Sequence, residues 1–181
     1  NRANKNGATP LFIASQNGHE KVVEYLATAG AEINRALEEG ATPLYVASQN
    51  GHKKVVEYLV AVGAEINRGR SNGATPIYVA SQNGHERVVE YLAGVGADIN
   101  RAMNDGSTPL QVASEMGHKR VVEYLATVGA EIGCANDGCT PVHIASQNEH
   151  KKVVEHLDKG SASRRNPRVE NFSKRFRCSL M

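Results

Sequence analysis

The chain has no tryptophan, and aromatic residues fill only 5 % of its 181 positions. That scarcity excludes a core built on large rings. The core is expected to be Val, Leu, Ile and Ala in thin layers. Cysteine is scarce too, with only Cys134, Cys139 and Cys178. An odd, sparse set makes no disulfide framework, and reduced thiols inside a cell are the expected state. Cys134 and Cys139 flank one shortened loop, but no two further ligands are spaced to complete a zinc site. No apolar run approaches the ~18 residues of a membrane-spanning helix, and no secretory signal pattern is visible. Glycine occurs at turns and caps, so no phosphate-cradling loop is expected.

What the chain does have is self-similarity. Thr-Pro recurs at Thr9-Pro10, Thr42-Pro43, Thr75-Pro76, Thr108-Pro109 and Thr140-Pro141, in steps of 33, 33, 33 and 32 residues. A fixed period in this range marks a chain that stacks one supersecondary unit. Such a stack presents a long surface instead of one convergent pocket.

One unit can be read physically. Thr75 suits an N-cap, because its hydroxyl can accept from a free first-turn N–H. Pro76 suits the first helical position, where its missing N–H costs nothing. Ile77, Val79 and Ala80 form a short buried face. Asn83-Gly84 stops that helix, since glycine tolerates the left-handed conformation. Glu86 opens a second helix, where a carboxylate meets the positive end of the dipole. Val88, Val89 and Leu92 share one apolar helical face. Gly96 ends the helix, Ala97-Asp98-Ile99-Asn100 leaves it extended, and Asn104-Asp105-Gly106 is a turn signal. Each helix is only about two turns long, and isolated helices under roughly 12 residues are marginal in water. Stacking must supply the missing stabilisation.

The stretches TPLFIA, TPLYVA, TPIYVA, TPLQVA and TPVHIA, with a Gly-His pair before the second helix and a GADIN-like exit, resemble the ankyrin repeat. The resemblance covers roughly residues 1–160. It implies a mostly α solenoid of stacked helix-turn-helix pairs joined by β-hairpin-like loops. The family's signature His stands only at His143, with Phe12, Tyr45, Tyr78 and Gln111 in its place elsewhere.

The expected units are 5–37, 38–70, 71–103, 104–135 and 136–160, followed by a basic tail over 161–181. The tail carries six basic residues against Glu170, a charge of +5, so the chain's total of +2 leaves the preceding residues at −3. With few apolar residues it is expected to be disordered. The first unit keeps Val22, Val23, Tyr25 and Leu26 like an internal copy, which fits an array preceded by further repeats. In the last unit His156 replaces the tyrosine of the others, and Asp158 replaces Ala or Val. Both are expected to face outward, as on a C-terminal cap.

Columns of recurring residues were weighed for chemistry. His19, His52, His85, His118 and His150 recur once per unit. Units about 10 Å apart cannot share a metal whose bonds are near 2 Å, so each His is expected to bond the inter-helix loop and cap the second helix. Ser15, Ser48, Ser81, Ser114 and Ser146 have no base of their own, and no catalytic constellation emerges. Neither an enzyme nor a cofactor is expected. Arg35, Arg68 and Arg101 follow Glu32, Glu65 and Asp98 by three residues. That pattern is either a solvated ladder of ion pairs or a basic stripe for an acidic partner.

The resemblance implies partner binding through the loop tips and the inner face of the first helix. The tips are Lys5-Asn6, Glu38-Glu39, Ser71-Asn72, Asn104-Asp105 and Asn136-Asp137. The inner-face pairs are Gln16-Asn17, Gln49-Asn50, Gln82-Asn83, Glu115-Met116 and Gln147-Asn148. Only the fourth pair differs, so variety concentrates at 103–116, with Gln111. The expected function is a non-catalytic protein–protein interaction module, monomeric, intracellular and cytoplasmic, with another protein as partner. Nucleic acid is not the expected partner, since only Phe172 and Phe176 interleave the tail's basic residues.

Two kinds of segment resemble modification motifs. Asn34, Asn67 and Asn100 sit in exits resembling the pattern hydroxylated on Asn in animal ankyrin repeats, or they simply fix the turn. Cys178-Ser179-Leu180-Met181 resembles a farnesylated Cys-a-a-X box with a polybasic flank. That reading makes the chain a membrane-tethered adaptor, peripheral at the inner membrane face.

Overall fold

The computed structural model describes residues 3–5, 7–133 and 140–163. They form helix pairs in chain order: α1 (Pro10–Gln16) with α2 (Glu20–Thr28), α3 (Pro43–Gln49) with α4 (Lys53–Ala61), and α5 (Pro76–Gln82) with α6 (Glu86–Gly94). Then follow α7 (Pro109–Glu115) with α8 (Lys119–Thr127), and α9 (Pro141–Gln147) with α10 (Lys151–Ser163). The array is thus an all-α stack, as expected.

The caps explain where each first helix begins. Thr9, Thr42, Thr75, Thr108 and Thr140 each accept from the backbone N–H three residues on, and each precedes a proline. The helix stops because the next turn is left-handed. Gly18, Gly51, Gly84 and Gly117 have φ between 70° and 72°. Glu149 takes the same conformation at φ 59°, with a side chain that this region disfavours.

Helices of seven residues cannot stand alone, and the packing shows what supports them. Leu11, Leu44, Ile77 and Leu110 lie in one continuous core with Val56, Val89, Val122, Leu59, Leu92 and Leu125, all essentially inaccessible. Each first helix packs on the next, α1 on α3 through α7 on α9. The second helices α2, α4, α6 and α8 touch more sparingly.

Two expectations need correction. The core is not wholly aliphatic: Phe12, Tyr45 and Tyr78 are buried in a second cluster with Ala41, Val46, Ala74, Val79 and Val112. These rings fill the space beneath the loops that the narrow aliphatic layer leaves open. The connecting loops are hairpin-like turns without strands, since no strand forms among the described residues. Each closes with a turn, such as Leu37 N–H to the Ala41 carbonyl at 2.9 Å and Met103 N–H to Ser107 at 2.9 Å. The helix α10 runs through Ser163. Finally, His156 does not face outward. Its Nδ1 lies 3.5 Å from the Glu123 carboxylate of the preceding unit. The tyrosines it replaces also reach backward, as Tyr58 does to the Glu24 carbonyl and Tyr124 to that of Glu90. Helix phase sets this direction, since that position lies one turn from the column of Val22 and Val55. Asp158 is exposed.

The same phase explains the apolar groups at the other end. Val55 and Val46 are buried by the unit before them, whereas their counterparts Val22 and Ile13 are exposed, with Tyr25 beside them.

Candidate functional site

The loop tips form one ladder. Ser71 N–H donates to the Glu39 carbonyl at 3.0 Å, and Asn104 N–H donates to that of Asn72 at 2.9 Å. The Asn104 side-chain amide adds a bond to the Ser71 carbonyl at 3.0 Å. Backbone groups hold the tips in register, and the side chains of Glu38, Glu39, Ser71, Asn72, Asn104 and Asp105 are all exposed. Lys5 is exposed as well. Asn6, Asn136 and Asp137 lie outside the described residues.

The inner-face pairs divide into two roles. Gln16, Gln49, Gln82, Glu115 and Gln147 are exposed at the ends of the first helices. The asparagines beside them are exposed too, but their amides donate to the carbonyl four residues back. Asn17 reaches Ile13 at 2.8 Å, Asn83 reaches Val79 at 2.9 Å and Asn148 reaches Ile144 at 3.0 Å. Asn50 donates to Val46 and also across the units to the Gln16 carbonyl, both at 3.1 Å. Each asparagine amide thus adds a second donor to a carbonyl that already accepts the same residue's backbone N–H at the helix end. Met116 cannot do this, and it stands 45 % exposed.

Gln111 does not present itself to a partner. It is buried, and its Oε1 accepts from the Thr108 N–H at 2.9 Å while Thr108 accepts from Gln111 N–H, a reciprocal capping box. The Thr-x-x-Gln spacing at 108–111 is the signal that identifies this role in the sequence.

The histidines do not cap their own helices with their side chains. Instead they tie units together. Nε2 of His52, His85, His118 and His150 meets the carbonyl of Gln16, Gln49, Gln82 and Glu115 at 3.0, 2.9, 2.9 and 2.8 Å. A carbonyl can only accept, so the proton sits on Nε2. Each ring also lies against the left-handed glycine of the unit before it. A Cβ on Gly51 would come 2.5 Å from His85 Nδ1. That explains glycine at this position twice over, by backbone angle and by space. The column fixes the backbone of the glutamine positions.

Asn34, Asn67 and Asn100 are likewise pins between units. Their Oδ1 atoms accept from the N–H of Glu65, Asp98 and Glu131, each at 2.9 Å. The neighbouring arginines are exposed ion pairs, Arg35 with Glu32 at 3.5 Å and Arg68 with Glu65 at 3.6 Å. Arg68 also donates to the Asn34 carbonyl at 3.1 Å.

Family models match the chain along most of its length. The model for ankyrin repeats in three copies fits residues 35–103 and 96–166, and the single ankyrin repeat fits 6–36. The chain belongs to the ankyrin-repeat family. Ankyrin repeats generally serve as protein–protein interaction modules. No curated protein matches the chain.

Within this ankyrin array one residue escaped the sequence reading. Arg70 occupies the place of Leu37 and Met103, which cover the second core cluster. Its guanidinium carbon lies 5.7 Å from the centroid of the Tyr45 ring, and it pairs with Glu39 on the adjacent tip. The signal was an arginine where the flanking units carry Leu37 and Met103.

The groove floor is also where titration is perturbed. Burial raises the pKa of Tyr45 above 10.0, and Tyr78 adds to the effect. Burial raises that of Tyr78 as well, and the carboxylates of Asp105 and Glu115 push it further up, while its bond to Ser107 Oγ at 3.3 Å opposes them. Among the described residues no group of three His, Cys, Asp or Glu is placed to hold a metal, and no helix is long and apolar enough to cross a membrane.

Proposed function

We propose that this chain is a non-catalytic binding module that takes another protein along its loop tips and the exposed ends of its first helices. The observation that carries the reading is the tip ladder. Backbone bonds from Glu39 to Ser71 and from Asn72 to Asn104 fix the spacing of the tips while their side chains remain exposed. Beside them run Gln49, Gln82 and Glu115, whose backbones the histidine column immobilises. A preorganised surface loses little freedom on binding. The test is affinity capture with the full chain, with a Gln49→Ala/Gln82→Ala/Glu115→Ala variant, and with a Lys54→Ala/Arg87→Ala control on the second helices. Loss of the same partner in the groove variant alone supports the reading, and loss in the control alone overturns it.

A second reading is carried by Cys178-Ser179-Leu180-Met181 behind Arg164, Arg165, Arg168, Lys174, Arg175 and Arg177. A prenyl group on Cys178 with that basic flank would hold the module at an anionic leaflet, because one lipid alone anchors only marginally. Expression in a farnesylating host, with Cys178→Ser as comparison, decides it. A farnesyl mass and membrane partition lost on substitution are expected. An unmodified, equally partitioned pair refutes it.

A further inference from the structure

Charge is not spread evenly over the array. On the second helices acids and bases pair: Lys53 with Glu57, Lys54 with Glu20, Lys119 with Glu123 and Arg120 with Glu86. Along the tips and groove the balance fails. Glu38, Glu39, Asp105 and Glu115 are exposed there, against Lys5 and Arg70, and Arg70 already pairs with Glu39. At the fourth unit the surplus meets apolar surface. Asp105 and Glu115 are both exposed in that unit, and Met116, next to Glu115 in the sequence, is 45 % exposed.

The chain itself holds a segment of complementary chemistry. Eighteen residues follow Ser163, and within them lie Arg164, Arg165, Arg168, Lys174, Arg175 and Arg177 with Val169, Phe172 and Phe176. Extended, eighteen residues reach up to about 60 Å, whereas packed helices lie about 8–10 Å apart. The fourth unit is the immediate neighbour of α10, so the patch is well within reach. A tethered segment also meets its site at an effective concentration in the millimolar range, which favours weak electrostatic contacts that the same ligand could not make free in solution.

We propose that residues 164–181 fold back onto the fourth unit, setting their basic side chains against Asp105 and Glu115 and an aromatic ring against Met116. This rests on reading the tip-and-groove face as a binding surface, and it adds regulation to that reading. A docked tail covers part of the groove. A partner, or an anionic membrane that draws the basic residues away, then uncovers it.

The test uses the full chain made without lipid. The chain has three methionines, Met103, Met116 and Met181, so methyl-labelled methionine gives a three-line spectrum. A paramagnetic tag is placed on Cys178 in a Cys134→Ser/Cys139→Ser background. Met181, beside the tag, broadens always and reports tagging. The proposal expects the Met116 signal to broaden at low salt, and to recover at high salt and in the Asp105→Asn/Glu115→Gln chain. The latter is conservative, since glutamine stands at the equivalent position in the other units. A sharp Met116 signal at low salt overturns the proposal. So does broadening that survives both salt and charge removal, which reflects tethering alone. Broadening seen only when tagged and labelled chains are mixed assigns the contact to a second copy and also overturns it. The affinity capture above, repeated on a chain with its tail arginines neutralised, tests the binding surface separately.

Discussion

At the scale of single residues, the array is pinned by side chains that reach from one unit to the next. Asn67 Oδ1 accepts from Asp98 N–H at 2.9 Å. Asn67→Ala should cost about 1 kcal/mol, the net worth of such a bond, visible as a lower urea midpoint at unchanged slope; an unchanged midpoint would show the pin to be idle. Glu149 offers the opposite case. It stands at φ 59° where its counterparts are glycine, and among the described residues no histidine of a following unit presses on it. Glu149→Gly should raise stability by about 1 kcal/mol, the penalty of a left-handed side chain, and a lowered melting temperature would contradict this. The groove tyrosines give a pH signature. Their folded-state pKa values lie above 10.0, so the folded state keeps the phenol proton longer than the unfolded chain does. That contribution is whole below pH 10 or so and is lost as pH rises through the raised values. Tyr45→Phe/Tyr78→Phe should flatten the alkaline fall in stability, read from urea melts on either side of about pH 10.

At the scale of elements, each helix depends on its neighbours, because seven or nine residues cannot hold a helix in water. Leu92 sits fully buried in α6 within the continuous core. Leu92→Ala should cost about 2–5 kcal/mol. A shift equivalent to less than about 0.5 kcal/mol would mean that the layer collapses around the gap. The helices were legible in the sequence because their signals are local. Thr-Pro starts a first helix, Asn-Gly stops it, and the valine pair with Leu92 marks the buried face of the second. What could not be read is the partner of each polar side chain. His85 was expected to serve its own helix, yet its ring bonds Gln49 in the unit before, 36 positions away. Asn83 was expected on the binding face, and its exposed amide also bonds the Val79 carbonyl of its own helix. Periodicity shows that a residue recurs; it does not show whether its side chain points along the stack or into solvent.

At the scale of the whole molecule, the repeat makes the fold nearly redundant and leaves function to the exceptions. The departures fall in the second and fourth units: Arg70 over Tyr45, Gln111 turned inward as a cap, and Glu115-Met116 in place of Gln-Asn. Gln111 shows the limit of reading the groove by alignment alone, because a variable position there is buried. The charge surplus along the tips was hidden for another reason, since it depends on which lysines and arginines pair on the second helices. The central claim is that this face, and not the second-helix face, is what a partner protein covers. Amide hydrogen exchange of the chain, alone and bound to the partner recovered by capture, tests it most directly. The account predicts slower exchange around residues 38–40, 71–73 and 104–106 and at the ends of α3, α5 and α7, with α4, α6 and α8 unchanged. Protection confined to α4, α6 and α8 would contradict it.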